Sequence, residues 1–390
     1  MYSLLLVVIY IAFISLGLPD SLLGSGWPAM HLVLDVPLPY MGIVTMVISG
    51  GTIVSSLMSY KLTRKLGTQI VTVVSVFLTA VALLGFSFST KFYMLILFAV
   101  PYGLGAGAID AALNNYIAIH YSSRHMSWLH CFWGVGTVIS PFVMSYALTT
   151  STWNKGYRLI AIVQICIGLV LLVTLPLWKV NRSRTVSESK TKSLGLADAL
   201  KIKGVPSLLL GFFAYCSAEA TAMGWASTYL VEVKGTSAER AAAFASLFFI
   251  GLTAGRFLGG FLMDRLGDRK MIRLGSYILL SGIACLLVPV DLEFLSLVGF
   301  IVIGLGCAPI YPCIIHSTPA NFGTENSGAI IGIQMASAYA GTTFMPPLFG
   351  FLGRWISFKI LPVYLVVFVV LMLYMTGKTY RLTAYEENLR

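Results

Sequence analysis

The chain has 390 residues, of which 57% are hydrophobic and only 11% are charged, and its formal net charge is +11. Long apolar runs recur along its whole length, each near the roughly 20 residues that a membrane-spanning helix needs. This composition excludes a soluble enzyme, and the sequence contains no G-x-x-x-x-G-K-[ST] motif that would bind the nucleotide of an ATP-driven pump. We therefore expect a membrane protein that is not an enzyme and that needs no organic cofactor or metal.

Twelve apolar segments are predicted to cross the membrane as helices. The first has neither the basic n-region nor the cleavage site of a signal peptide, so we expect it to be retained as a span. The expected fold class is an all-α membrane protein with two pseudo-symmetric six-helix bundles. The predicted spans are 3–27, 40–60, 69–89, 92–119, 126–149, 157–178, 206–231, 239–263, 271–289, 294–316, 327–351 and 359–377.

One long polar and basic segment, 179–205, separates six predicted spans from the other six. We predict an N-terminal bundle over 1–178, a C-terminal bundle over 206–377 and a tail over 378–390. If the loops alternate between the two sides, most lysines and arginines lie on the side of this segment, and the positive-inside rule then places the segment and both termini in the cytoplasm. Topology thus explains the net positive charge, and we expect no nucleic-acid partner.

The loop between the eighth and ninth predicted spans carries a short charged motif. It resembles the G-x-x-x-D-R-x-G-R-R loop of the major facilitator superfamily, with Asp268 in place of one arginine. Its glycines allow close helix approach, and Asp264 can neutralise a cation or cap a helix in one conformation only. The matching loop of the first half has Arg64 where the aspartate would be. The predicted conformational latch consists of Gly260, Asp264, Arg265, Gly267 and Arg269.

Three acidic residues lie well inside predicted spans: Asp20 in the first, Asp110 in the fourth and Glu219 in the seventh. A charged group at membrane depth costs about 2.5–3.5 kcal/mol by insertion scales, so such acids indicate function. In the superfamily that the loop resembles, spans 1, 4, 7 and 10 line the central cavity, and all three acids fall on these spans. A structural role stays open for each: Asp110 satisfied by Asn114, Asp20 at the outer interface, and Glu219 in an ion pair between the halves.

The sequence around these acids resembles the fucose permease family of sugar:proton symporters. The matches are Asp20 in span 1, Asp110 before an A-A-x-N step in span 4, and the E-x-x-x-x-x-W step of Glu219 and Trp225 in span 7. The resemblance implies that Asp20 and Asp110 are the essential, proton-coupling acids. Asp110 departs from the glutamate of the permease used for comparison, and the step after it lacks the proline of A-N-P.

The side chains near the acids suit a polar, ring-shaped solute. Asn114 follows Asp110 by four residues, so both lie on one helix face, and an amide beside a carboxyl group is a good clamp for hydroxyls. Aromatic side chains can pack on a sugar ring, and Gln334 can add paired hydrogen bonds. Two residues stay open: His130 between a structural role and a proton relay, and Arg256 between snorkelling, a structural pair and solute contact. The predicted substrate-binding residues are Asn114, Asn115, Glu219, Trp225, Tyr215, Tyr311, Gln334, Trp133 and His130.

These observations together predict a transporter that alternates between inward- and outward-open forms. We expect symport of a neutral polar solute, such as a monosaccharide, with a proton, because burial favours the neutral form of a carboxyl group and lets Asp110 load and release a proton. The alternatives are proton-driven efflux of drugs or amphipathic solutes, and a receptor or scaffold on a transporter fold; sodium could replace the proton. The expected setting is the plasma membrane, with the lipid bilayer and a small solute as partners and the chain acting as a monomer.

Overall fold

A computed structural model of the chain describes residues 2–178, 195–236, 238–288 and 293–387. Helices and no strands occur in these residues, which confirms the predicted all-α membrane class. Ten of the helical stretches are long and apolar enough to cross a membrane. Of the predicted linker and tail, residues 179–194 and 388–390 lie outside the described residues.

The first part of the chain folds into seven α-helices. Two short 3₁₀ turns, Leu38–Tyr40 and Leu175–Trp178, accompany them. The first predicted span is broken at Ser21, two residues after Pro19, and so comprises two helices. The helices are α1 (Tyr2–Asp20), α2 (Leu22–Val33), α3 (Met41–Leu66), α4 (Thr68–Phe88), α5 (Phe92–His120), α6 (Ser123–Thr150) and α7 (Trp153–Val173).

The described residues of the second part form nine further helices and one 3₁₀ turn, Phe358–Ile360. The tenth predicted span, 294–316, is interrupted near Pro309, so it comprises two helices, and a third short helix follows after Ser317. The helices are α8 (Leu196–Lys201), α9 (Val205–Lys234), α10 (Ala238–Leu266), α11 (Asp268–Leu287), α12 (Glu293–Cys307), α13 (Ile310–His316), α14 (Thr318–Phe322), α15 (Thr324–Trp355) and α16 (Leu361–Glu387).

All twelve predicted spans therefore correspond to helical stretches of the described chain. Two of the twelve stretches, α10 and α15, are not among the ten that are apolar enough to cross a membrane by composition alone. Polar and charged residues interrupt their apolar sequences. Large apolar side chains lie exposed along the spanning helices, among them Phe142, Phe257 and Val367. Such apolar surface suits contact with lipid tails, because the tails are as apolar as the side chains that they touch.

The chain divides into two compact units. The first comprises residues 1–116 and 129–194, and the second comprises residues 117–128 and 195–390. In the first unit, a buried apolar cluster joins α1 and α2 to α3, α4, α5, α6 and α7, and its largest members are Trp27, Phe86, Trp153 and Tyr157.

Small residues bring α3 and α5 close together in the first unit. Ser55, Ser56 and Ser59 of α3 donate hydrogen bonds to the carbonyl oxygens of Gly103, Gly107 and Ala108 in α5, at 3.3, 3.2 and 3.0 Å. A Cβ atom at Gly103 would overlap the carbonyl oxygen of Ile48, so only glycine permits this approach. The packing fixes the face of α5 that stays available to other helices.

The second unit repeats this close approach with different residues. A Cβ atom at Gly304 of α12 would overlap the carbonyl oxygen of Phe248 in α10, as Gly103 would overlap Ile48 in the first unit. In each unit the contact joins corresponding helices of the predicted six-span repeat. Related halves of this kind are typical of secondary transporters.

Candidate functional site

Asp20 is the last residue of α1, where the helix breaks before α2 begins at Leu22. The residue is exposed, and both carboxylate oxygens accept a hydrogen bond. Tyr102 Oη of α5 donates to Oδ1 at 2.9 Å, and Trp133 Nε1 of α6 donates to Oδ2 at 2.8 Å. An accessible carboxylate inside a spanning helix is thereby held by two neutral aromatic donors.

The position of Trp133 follows from close packing of α1 against α6. A Cβ atom at Gly17 would overlap the carbonyl oxygen of Trp133, and one at Gly136 would overlap that of Ile14. Ser21 Oγ also donates to the carbonyl oxygen of Thr137 at 2.7 Å. Because the two backbones touch three residues before Asp20, the indole of Trp133 reaches the carboxylate.

Asp110 lies in the middle of α5 and is 4% exposed. The fully buried Asn114, one turn later, donates from Nδ2 to Asp110 Oδ1 at 2.7 Å. His130 of α6 lies next, with Nε2 3.1 Å from Asn114 Oδ1. An amide oxygen only accepts, so His130 donates from Nε2, which fixes the amide orientation and directs its NH₂ group at Asp110.

This arrangement defines what Asp110 can do chemically. Its Oδ1 acts as an acceptor whether the group is charged or neutral, so a bound proton belongs on Oδ2. His130 packs its ring edge-on against Phe13, with centroids 5.4 Å apart, and is 5% exposed. Asp110, Asn114 and His130 therefore form a buried, hydrogen-bonded row with a titratable group at each end.

Glu219 of α9 pairs with Arg256 of α10 within the second unit. Arg256 Nη2 lies 3.4 Å from Glu219 Oε1, and the side chains of Arg256 and Glu219 are 6% and 14% exposed respectively. Ser127 Oγ donates to the carbonyl oxygen of Arg256 at 2.6 Å. In this structure the partner of Glu219 comes from its own unit, and Arg256 is buried in an ion pair. The pair cancels one negative charge at membrane depth.

The other predicted binding residues of the second unit have their own partners. Tyr215 is 1% exposed and donates to the carbonyl oxygen of Cys307 at 2.9 Å. Trp225 Nε1 donates to the carbonyl oxygen of Pro346 at 2.8 Å, and its ring stacks on Phe358. These contacts give both side chains a clear structural role beside the predicted one.

Three predicted binding residues remain, two of them in the second unit and Asn115 in the first. Tyr311 packs against Phe212 and Tyr215, with ring centroids 4.8 and 6.2 Å away. Gln334 is fully buried and accepts a hydrogen bond from Thr318 at 2.9 Å. Asn115 is half-buried on α5.

The predicted latch contains one well-formed ion pair. Asp264 Oδ2 lies 2.7 Å from Arg124 Nη2, and the backbone N–H of Arg124 donates to Asp264 Oδ1 at 3.3 Å. Gly267 has a φ of +75°, which favours glycine. A Cβ atom at Gly260 would lie 2.5 Å from Trp128 Nε1, so glycine is needed for this contact.

The two arginines of the predicted latch, Arg265 and Arg269, lie in different surroundings, and neither is the cation paired with Asp264. The guanidinium of Arg269 lies over the ring of Tyr380, 5.3 Å from its centroid. Arg265 lies exposed at the end of α10. The cation that meets Asp264 is Arg124, which sequence analysis did not include in the latch.

Tyr102 and Arg124 are the partners that the sequence did not reveal. Tyr102 precedes Gly103 and the glycine run of α5, and no local pattern links it to Asp20, which lies 82 residues earlier. Arg124 offered a weak signal, since it is an isolated cation at the start of a predicted span. Its partner Asp264 lies 140 residues away.

Comparisons with known proteins agree with this architecture. The Major Facilitator Superfamily model matches residues 9–245 and 208–387. The uncharacterized transporter y4wD of Sinorhizobium fredii is 25% identical over 322 residues, which are 80% of this chain and 81% of that protein. The glucose/mannose transporter GlcP of Bacillus subtilis is 23% identical over 252 residues, which are 60% of this chain and 59% of GlcP.

Solved structures of the transporter FucP have the same fold. FucP in the outward conformation gives a TM-score of 0.77 at 15% identity and covers 95% of this chain and 98% of its own. A single-residue variant of the E. coli fucose:proton symporter FucP gives 0.74 at 15% identity, with 96% and 99% covered. The predicted resemblance to a fucose permease is confirmed, and the relatives are transporters and not enzymes, as expected. The chain therefore belongs to the Major Facilitator Superfamily and is a multi-pass membrane transporter.

Proposed function

We propose that this transporter carries a neutral polar solute, such as a monosaccharide, together with a proton. The observation that carries the proposal is the setting of Asp20: an exposed carboxylate at a helix break, with Tyr102 and Trp133 as hydrogen-bond donors. Carboxylates bind solute hydroxyls, and aromatic rings beside them offer the flat apolar faces on which a sugar ring packs.

Within each unit, the charges of the described candidate residues favour a neutral solute over an anion. The guanidinium of Arg256 faces Glu219 and is balanced by it. Tyr102 and Trp133, which hold Asp20, are neutral donors, so they moderate its charge by hydrogen bonds and do not cancel it. An anionic solute would be repelled by the negative charge of Asp20, whereas a neutral solute would not.

Asp110 is proposed to hold the coupling proton. It is buried, and its Oδ1 is occupied by Asn114, so protonation at Oδ2 would neutralise it without breaking that hydrogen bond. Neutralisation would allow the site to close around the solute, because a buried charge no longer has to be solvated. His130 at the far end of the same row can respond to this change through Asn114.

The names of similar proteins support this assignment. FucP is named a fucose:proton symporter and GlcP a glucose/mannose transporter. We propose a plasma-membrane location. On the positive-inside rule, both termini are proposed to lie in the cytoplasm. No organic cofactor is proposed, and the chain is proposed to act as a monomer.

The test is uptake of labelled monosaccharides by purified transporter in proteoliposomes under an imposed proton gradient. Wild type should accumulate a sugar against its gradient. Asp110→Asn should lose this accumulation but still take up sugar down a sugar gradient, because only the proton step is removed. Asp198→Asn, an exposed aspartate on α8, is the matched control and should accumulate normally.

Several results would defeat the proposal. They are full proton-driven accumulation by Asp110→Asn, uptake that ignores the proton gradient, and accumulation of none of the monosaccharides. A parallel arm with a sodium gradient at equal pH distinguishes sodium coupling. Loss of a preloaded lipophilic cation under the same proton gradient would instead indicate efflux.

A further inference from the structure

The segment Ile117–Trp128, which contains the end of α5 and the start of α6, belongs to the second unit. Arg124 forms the ion pair with Asp264 described above. Trp128 Nε1 donates to the carbonyl oxygen of Phe257 at 3.3 Å. The rest of α5 and α6 belongs to the first unit, so this segment is where two helices cross from one unit to the other.

A second set of contacts to this segment is centred on His316, the last residue of α13. His316 Nδ1 lies 2.7 Å from Asp268 Oδ2, and His316 Nε2 lies 3.0 Å from the carbonyl oxygen of Tyr121. Ser123 Oγ donates to Asp268 Oδ1 at 2.5 Å and lies 2.9 Å from His316 Nδ1. Asp268 is the residue that stands where the superfamily loop has an arginine.

The hydrogen bonds in this cluster need one more proton than a neutral imidazole and an ionised carboxylate carry. A backbone carbonyl oxygen only accepts, so His316 donates from Nε2 to Tyr121. A neutral ring would then turn the lone pair of Nδ1 towards the carboxylate of Asp268, where two acceptors would face each other. Ser123 has one hydroxyl proton, which cannot satisfy both groups. The geometry requires a proton between Nδ1 and Oδ2, on one atom or the other.

We infer that His316 and Asp268 form a proton-binding site, separate from Asp20 and Asp110, whose occupancy fastens the segment Ile117–Trp128 to the rest of the second unit. The bound proton allows the imidazole to bridge the carboxylate and the carbonyl oxygen of Tyr121 at the same time. Without it, the ring repels Asp268 at 2.7 Å, and the bridge to Tyr121 is lost.

The other charged and titratable groups around His316 are accounted for. The carboxylate of Asp264 on α10 attracts a positive charge on the His316 ring, but it already forms an ion pair with Arg124. Tyr380 of α16 lies near Asp268, with Arg269 over its ring.

Two groups remain. The thiol of Cys313 on α13 is in hydrogen-bond contact with Asp268. His125 lies on the segment itself, with its ring 5.6 Å from that of Tyr121. Among the described contacts, Asp268 is joined to the segment directly by the hydroxyl of Ser123 and through the titratable ring of His316.

The site has a consequence for the two helices that cross between units. Asp110 and Asn114 lie on α5 just before the segment, and His130 lies on α6 just after it. Release of the segment would free the ends of both helices. A proton at His316 would therefore change how firmly the ends of α5 and α6 are held, independently of any solute.

Amide hydrogen exchange of residues 117–128, read by mass spectrometry on purified full-length protein in lipid nanodiscs, tests this inference. Rates are compared between about pH 6 and about pH 9, after correction with an unstructured peptide of the same sequence. Wild-type protection should fall by about tenfold or more as pH rises, which is the scale of one charge-assisted hydrogen bond. Protection in His316→Gln should not change with pH.

Asp268→Asn gives a second, sharper reading. An asparagine amide can donate to a neutral Nδ1, so the bridge to Tyr121 no longer needs the extra proton. Protection in Asp268→Asn should stay high and constant across the pH range. This variant keeps the test decisive if His316→Gln does not fold.

Two histidine variants serve as controls. His31→Gln, on α2 in the first unit, and His125→Gln, on the segment, should both keep the wild-type pH dependence. Wild-type protection that does not change with pH would overturn the inference. So would pH dependence that persists in Asp268→Asn, or that disappears in His125→Gln.

Discussion

Asp20 accepts hydrogen bonds from two aromatic side chains, and in each a substitution can remove the donor group while keeping an aromatic ring. Tyr102→Phe removes the hydroxyl and Trp133→Phe the indole N–H. A hydrogen bond to a charged group contributes about 1.5–3 kcal/mol, so each variant should lower the initial rate of proton-driven sugar uptake roughly tenfold or more. The measurement is uptake into proteoliposomes at subsaturating sugar.

Matched controls exist for both changes. Tyr93→Phe and Trp355→Phe alter side chains that are 69% and 78% exposed and should leave uptake unchanged. The thermal stability of all four variants should match wild type within a few degrees, because each keeps an aromatic ring. Normal uptake by both Tyr102→Phe and Trp133→Phe would show that these hydrogen bonds do not matter for transport.

The pair of Glu219 and Arg256 yields a stability prediction. Removal of one partner of a buried ion pair leaves an uncompensated charge and costs about 3–5 kcal/mol. Arg256→Met should therefore lower the thermal unfolding temperature of the detergent-solubilised protein. Adding Glu219→Gln to that variant should recover part of the loss, since the stranded charge is then gone. A double variant less stable than Arg256→Met would contradict the ion pair.

Local partners in the candidate site could be predicted from the sequence, and distant partners could not. Asn114 lies one helical turn from Asp110, so the helix period alone indicates that the two can meet. Tyr102 and Asp20 are 82 residues apart and Trp133 and Asp20 are 113 apart, and only packing of α1, α5 and α6 brings them together. The sequence showed Arg256 as a cation inside a predicted span, but it did not indicate that Glu219 is its partner.

At the scale of elements, the apolar runs predicted the position of each span but not its length or continuity. The second predicted span, 40–60, continues as a helix to Leu66, because Lys61, Arg64 and Lys65 are good helix formers that end the apolar run without ending the helix. Prolines lie close to both breaks, Pro19 and Pro309, but Pro28, Pro101 and Pro141 lie inside continuous helices, so the missing N–H of a proline does not by itself locate a break. The close approaches at Gly103 and Gly304 required knowledge of which helices are neighbours.

At the scale of the whole molecule, the orientation in the membrane rests on the distribution of positive charge. The turn between α3 and α4 follows Arg64 and Lys65, and the turn between α10 and α11 is followed by Arg269 and Lys270. Turns on the opposite side, such as those after α4 and α6, are close to fewer cations. The positive-inside rule counts lysine and arginine near the ends of spans, so this asymmetry is the basis of the proposed orientation.

Cysteine labelling in intact cells tests that orientation. Ser151 lies exposed between α6 and α7, and Ser122 lies exposed between α5 and α6 on the opposite side. In a parent chain with the exposed Cys166 replaced by serine, Ser151→Cys should react with a membrane-impermeant maleimide added outside. Ser122→Cys should react only after the membrane is permeabilised, and the parent chain gives the background. The reverse pattern would invert the topology, and His316 and Asp268 would then sense the pH outside the cell, because they contact the same segment as Ser122.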